Sequence, residues 1–254
     1  MGRRMKEAVP VVLFLLLLAV AWEAATTVFA VPHYIIPRLS AVLGSMAENG
    51  PLLWRHAMIT LGEALLGLGL SVLLGVLMAV WIEGSRLAKR TLYPLVVASQ
   101  TIPIIALSPI MVMWFGYEIW SKVSVVMLFT FFPIAVNTAD GFRTADAGIG
   151  ELMRSMGARK QELFLKWKLP SALPGFFTGL KMAATISVGG ATLGEWLGGE
   201  AGLGAYTKRA SNMLRGEAVF SGVLLLSLMG IAMFLAASML ERAVLKRRGP
   251  GARE

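Results

Sequence analysis

Apolar residues in this chain gather into long continuous stretches instead of recurring at every second or fourth position. A helix needs roughly 20 mostly apolar residues to cross a hydrocarbon core of about 30 Å. Six stretches reach or approach that length: 9–31, 59–82, 92–115, 123–139, 172–193 and 219–240. Lipid offers no partners to backbone N–H and C=O groups, so each stretch must close its own hydrogen bonds as a helix. The ten-residue alternation of a membrane barrel is missing from the pattern. The sequence therefore predicts an all-α, polytopic membrane protein with six transmembrane helices, folded as a single domain over 1–254. Arg3, Arg4 and Lys6, followed by the apolar stretch and Val28-Phe29-Ala30, resemble a signal peptide. The stretch exceeds the usual length of such a segment, and a retained first helix is expected.

The polar segments between the stretches set the orientation. With a cytoplasmic N-terminus, 17 Lys and Arg fall in inner segments and 6 in outer ones, while Lys181 lies inside the fifth stretch. The inner set is densest at 143–168 and includes the C-terminal Arg242, Lys246, Arg247, Arg248 and Arg253. Both termini are thus expected in the cytoplasm, N-in and C-in. Segment 32–58 carries Leu39, Val42, Leu43 and Met46 at helical spacing, as a helix lying on the membrane surface would. Segment 194–218 is rich in glycine, and Gly198–Gly204 reads as a flexible outer turn.

Composition agrees with lipid as the solvent. Apolar residues make up 56% and charged residues 15%, against about 45–50% and about 25% in soluble domains. A net charge of +9 could suggest nucleic acid, but the basic residues sit between apolar stretches, where topology explains them. No nucleic-acid partner is expected. There is no Cys, so disulfide and thiolate chemistry are excluded. His33 and His56 have no metal-ligand spacing around them and read as surface or interface residues. No metal and no cofactor are expected.

Candidate chemistry concentrates in the inner segment. Residues 148–156 and 158–168 both read as short helices, with Gly157 between them at a turn that calls for positive φ. Leu152, Met153 and Met156 share one face of the first piece, and Leu163, Phe164 and Trp167 share one face of the second. Spacing alone allows such a helix to lie on headgroups, to cap its own bundle or to dock into a partner.

Glu151, Gly157, Ala158 and Leu169-Pro170 resemble the "EAA" loop of bacterial binding-protein-dependent ABC importer permeases. Leu152 and Met153 replace the two alanines of that loop. Further motifs resemble the branch for nitrate, sulfonate, taurine, thiamine-pyrimidine precursors and riboflavin. These are Thr101-Ile102-Pro103, Trp114-Phe115-Gly116, Phe131-Phe132-Pro133 with Asn137, Leu169-Pro170-Ser171-Ala172, and Glu195-Trp196 followed by Gly202-Leu203-Gly204. The resemblance implies a permease domain with its core at 55–245 and a cytoplasmic coupling loop at 148–168. It also implies a second permease copy, a cytosolic ABC ATPase subunit and an extracytoplasmic substrate-binding protein. The setting would be a bacterial inner membrane. ATP closes the ATPase dimer in such systems, and the coupling helix, here 148–157, passes the motion to the spans. The chain itself has no G-x-x-x-x-G-K-[ST] loop, so ATP would be bound by the partner. The expected substrate is a small polar organic solute, with a thiamine pyrimidine precursor favoured and sulfonate, taurine, nitrate and riboflavin left open.

Polar residues at membrane depth are costly and mark a path or an interhelical contact. The candidates for the path are Gln100, Thr101, Pro103 and Ser108 in the third stretch, Asn137 in the fourth, and Ser187, Thr192 and Glu195 in or after the fifth. Pro103 and Pro109 are expected to kink or break the third helix. Glu63 and Lys181 could each pair with an opposite charge or face the substrate, and Lys181 could also snorkel. The competing reading, a self-sufficient secondary transporter or channel, would favour inverted repeats, and no clear repeat is present.

Overall fold

The computed structural model describes residues 2–246, and every regular element among them is helical. Arg247, Arg248 and Arg253 lie outside the described residues. Helix α1 (Gly2–Val28) leads into a short helix, α2 (Leu39–Glu48), and then α3 (Gly50–Gly84). The third apolar stretch is split into α4 (Arg86–Ser99) and α5 (Ile104–Phe115), followed by α6 (Ile119–Arg143). The inner segment holds α7 (Ala147–Ser155) and α8 (Lys160–Leu163), and the chain closes with α9 (Leu169–Gly198), α10 (Leu203–Asn212) and α11 (Gly216–Lys246).

Helices α3, α6 and α11 are each long and apolar enough to cross a membrane, and α4 with α5 makes a fourth candidate bent by 97°. That bend is the break expected in the third stretch at Pro103. Ser99 ends α4, residues 100–103 turn, and Pro103 precedes the first residue of α5. Proline at 103 has no N–H to continue the ladder, so the helix restarts there. Pro109, by contrast, is carried inside α5 without ending it.

Helices α6 and α9 form the spine. Their contact is a seam of small residues: a Cβ on Gly179 would lie 2.5 Å from the Pro133 carbonyl oxygen, and one on Gly141 2.8 Å from that of Ala172. Backbones this close gain dispersion contacts that larger side chains would prevent. Around the seam, Val126, Ile134, Phe177, Leu180 and Val188 pack with Ala64 of α3 and Met233 of α11 in the main core. Lys181 resolves into an ion pair, its Nζ 2.8 Å from Glu241 Oε2 of α11.

Two expectations for the connecting segments need correction. The second inner piece is not a separate helix. Phe164–Lys168 form a π-helical turn that runs from α8 straight into α9. The wide turn sits just before Pro170, whose ring would press on the carbonyl of Lys166 in a regular helix. The glycine-rich outer segment is not a loose turn either, because α10 folds within it and is held against α3 and α9. Helix α2 buries Val42 and packs on α11, where Ser221 Oγ donates to the Val42 carbonyl at 3.2 Å.

Candidate functional site

The inner loop is built from its caps. Asp146 Oδ1 accepts from the N–H groups of Gly148 (2.7 Å) and Ile149 (3.4 Å), satisfying two of the free donors at the start of α7. At the other end, Ala158 N–H donates to Met153 O and Gly157 N–H to Arg154 O, both at 3.0 Å. This pair of bonds closes a Schellman motif, with Gly157 in the left-handed position at φ +80°. No atom lies within 4 Å of where a Gly157 Cβ would stand, so the turn needs glycine for its backbone angle and not for space.

Gly150 faces inward, where a Cβ would run into the buried Trp167 ring. Arg154 stands 5.9 Å over the same ring. Phe164 packs on Phe142 with ring centroids 5.7 Å apart, tying the loop to the end of α6. The outward face carries Ile149 (51% exposed), Leu152 (60%) and Met156 (78%), while Met153 and Ala158 are half-buried. Ile149 belongs to this apolar face and Met153 less so, a correction to the set read from spacing. Glu151 is exposed, and Leu169 and Pro170 sit half-buried where the wide turn enters α9. Beside the loop, Glu162 accepts from the Arg159 N–H at 3.0 Å and from Lys166 at 3.1 Å. The backbone bond first, then the Lys166 contacts, hold its carboxyl below the usual range.

The path candidates are not gathered in one place. Gln100, Thr101 and Pro103 lie exposed at the elbow between α4 and α5. Ser108 and Ser187 are buried and donate to carbonyls of their own helices, at Ile104 (3.2 Å) and Ala184 (2.8 Å). Asn137 Nδ2 donates to the Pro133 carbonyl at 2.7 Å within the α6/α9 seam. Thr192 lines a groove of about 870 Å³ between α6, α9 and α11, with Phe129, Thr185, Gly189, Ser227 and Phe234.

Glu195 is fully buried in a polar network at the end of the bundle that carries α10. Its Oε1 accepts from Thr60 Oγ1 of α3 at 2.6 Å, and its Oε2 accepts from the Gly204 N–H of α10. Thr60 Oγ1 in turn accepts from the Leu203 N–H at 2.8 Å. His56 Nδ1 accepts from the Gly202 N–H at 3.0 Å, so His56 is a buried cap and not a surface residue. A Cβ on Gly202, at φ +104°, would overlap the Glu195 carboxyl group. Glu63 and Lys122 are buried as well. The Nζ of Lys122 turns back to the Tyr117 carbonyl and, at 3.2 Å, to that of Glu118. The Glu195…Gly202-Leu203-Gly204 spacing is visible in sequence, yet nothing local points to Thr60 and His56 across more than 130 residues.

Comparison with known proteins fits this architecture. The chain is 42% identical over 246 residues to the formylaminopyrimidine transport permease protein ThiX of Halalkalibacterium halodurans, covering 97% of this chain and 98% of that one. It is 32% identical over 234 residues to the riboflavin transport system permease protein RibX of Chloroflexus aurantiacus, covering 91% and 87%. Among solved structures, an inward-facing form of the MetNI methionine ABC transporter aligns with TM-score 0.68 at 21% identity, over 78% of this chain and 98% of that one, a likeness of fold. Residues 71–246 match the family model for the inner membrane component of binding-protein-dependent transport systems, and the chain belongs to that family of ABC importer permeases.

Proposed function

We propose that the chain crosses a bacterial inner membrane six times, N-in and C-in, as the translocating subunit for a thiamine pyrimidine precursor. The spans are α1, α3, the bent α4–α5 pair, α6, α9 and α11. Helix α9, with 30 residues, is about 45 Å long and exceeds the core thickness. Two copies pair across the path, an outer binding protein delivers the solute, and a separate cytosolic ATPase supplies the work. The observation that carries this reading is the unpartnered apolar face of α7, with Ile149, Leu152 and Met156 turned away from their own bundle. A helix presented on a rigid Schellman turn suits a groove on a partner, which exchanges water for apolar contact. The competing secondary transporter has no use for such a helix.

Two features favour the pyrimidine over an anionic solute. Lys122 and Lys181, in α6 and α9, are engaged by carbonyls and by Glu241, so neither is left free for a sulfonate. The groove at Thr192 is mostly apolar, with two aromatic rings and hydroxyls that donate to their own helices and keep only acceptor lone pairs, which suits a neutral heteroaromatic ring better than an anion. The relative that is 42% identical carries formylaminopyrimidine in its name. The experiment is ATP-dependent uptake in proteoliposomes containing the chain, its ATPase and its binding protein. Formylaminopyrimidine should accumulate and taurine should not. Taurine uptake without pyrimidine uptake would sink the substrate assignment, and uptake that needs no ATPase would sink the reading as a whole. Topology is tested with single cysteines, since the chain has none of its own. Ser155→Cys should react only from the cytoplasmic side and Asn49→Cys only from outside.

A further inference from the structure

A single carboxylate joins the base of the inner loop to α4. Glu83 lies in the last turn of α3, with its side chain 11% exposed. A negative charge there faces the open carbonyls at the C-terminal end of the helix, so α3 by itself gains nothing from it. Its two oxygens are engaged by different elements. Oε1 accepts from Lys168 Nζ, at the end of the π-helical turn. Oε2 stands 3.7 Å from Lys89 Nζ of α4. Lys168 Nζ also lies 5.8 Å from the centre of the Trp167 ring, the ring that fills the space beside Gly150 of α7. A chain of contacts thus runs from α7 through Trp167, Lys168 and Glu83 to Lys89 of α4.

Helix α4 is otherwise lightly held. Ser85 alone separates it from α3, and its Leu87 and Leu95 stand 73% and 64% exposed. Ala88 and Val96 are its buried residues, and Tyr93 Oη donates to Asp140 Oδ1 of α6 at 2.9 Å. Its far end carries the elbow at 100–103, where the α4–α5 pair bends by 97°. We propose that Glu83 is a positioning residue for transport: by holding Lys168 and Lys89 together, it passes displacement of the inner loop to α4 and so to the elbow. The inference rests on the reading of α7 as the helix that docks on the ATPase. An ion pair this little exposed resists slipping, because either partner moving alone leaves a charge buried and uncompensated. Coupling over a distance is carried by such chains of packed side chains and ion pairs, and a mutational cycle shows whether they act as one unit.

The chain has no cysteine, so spin labels can be carried by Thr91→Cys on α4 and Ser155→Cys on α7, both exposed. Their separation is read by pulsed electron paramagnetic resonance in the full transporter, before and after ATP is added. The parent should give one narrow distance in both states, because the loop and α4 move together. In Glu83→Ala and in Lys89→Ala the distance should spread, and it should shift on adding ATP because α4 lags behind. Uptake of formylaminopyrimidine and ATP hydrolysis are then measured in the same vesicles. Each variant should keep the parental rate of hydrolysis and move about fivefold fewer molecules per ATP. A loss of folded protein would lower both rates together and leave that ratio unchanged. The double variant should be no worse than Glu83→Ala, since both changes cut one chain. Lys89 is 48% exposed, so Lys89→Ala leaves the packed core intact and decides alone if Glu83→Ala fails to insert. Variant distances that match the parent, a parental ratio of uptake to hydrolysis, or additive losses in the double variant refute the bridge. A parent that takes up taurine but no formylaminopyrimidine, or that needs no ATPase, refutes the function proposed above, and the spread of distances before ATP still decides the bridge.

Discussion

Replacing Gly157 separates the geometry of the turn after α7 from everything else in the protein. Its φ of +80° is costly for any side chain with a Cβ, and the space around it is open. The penalty is therefore conformational, about 1–2 kcal/mol for an ordinary residue and smaller for Asn, which tolerates the left-handed region. That cost lowers the population of the native turn by about 5–30-fold relative to its alternatives. Misdirecting the turn releases the bonds from Ala158 to Met153 and from Gly157 to Arg154, so Leu152 and Met156 lose their fixed presentation. The expected order of ATP-driven uptake, and of ATPase co-purification, is Gly157 ≈ Gly157→Asn > Gly157→Ala > Gly157→Val. Membrane expression should stay near the parental level, because a Cβ at position 157 meets nothing within 4 Å and the α6/α9 seam is left untouched. Ser155→Ala, which removes only a hydroxyl bonded to the Leu152 carbonyl at 2.7 Å, should be nearly silent. Normal uptake by Gly157→Val would refute the docking role of α7. Equal damage from Asn and Val would show that a partner's close approach, and not the backbone angle, demands glycine.

Gly179→Ala should destabilise the protein by about 1–3 kcal/mol through overpacking against the Pro133 carbonyl, whereas Gly69→Ala, which meets nothing within 4 Å, should raise the thermal midpoint slightly. Lys181→Met should lower the midpoint by leaving the Glu241 carboxylate half-buried and unpaired, and the double variant Lys181→Met/Glu241→Leu should recover most of the loss. Recovery by the double variant no greater than additive would mean the pair is not coupled. The Glu162 carboxyl titrates below its ordinary value, so the stability it lends the loop is full above that value and is lost as pH falls through the lower folded one. Hydrogen exchange at the Arg159 amide should accordingly be protected near neutrality, lose protection on acidification, and be unprotected throughout in Glu162→Ala, which removes the acceptor.

Much of the fold could be read from the chain because lipid removes alternatives. Each apolar stretch has only one way to satisfy its backbone, so helices α3, α6 and α11 follow from length and composition. The same logic locates Pro103 as a break, since a missing N–H is a local fact. What stays hidden is the bend it produces, because the direction of an elbow is set by what α5 packs against. Spacing also finds the apolar face of α7, but exchanges Ile149 for Met153. A helical wheel shows which residues share a face and not where the neighbouring wall lies, and that wall is Trp167 pressed against Gly150.

The outer network shows most clearly why polar residues resist reading from sequence. Glu195 stands out because a carboxylate in an apolar helix is costly, and such a residue is a path candidate by default. In the fold its cost is offset by Thr60 and by the open N–H groups of α10, and the glycine at 202 is there because its Cβ would strike that carboxyl. A glycine-rich segment that reads as slack is therefore closely packed. Slack and close approach call for the same residue, and only the partner across space tells them apart. Gly157 and Gly202 make the contrast inside one chain: both have positive φ, but the first has nothing within 4 Å of its missing side chain while the second has a buried carboxylate. Asn at 157 should therefore be tolerated, and Asn at 202 should not, since the left-handed angle is available to it at both sites but the space is available at only one.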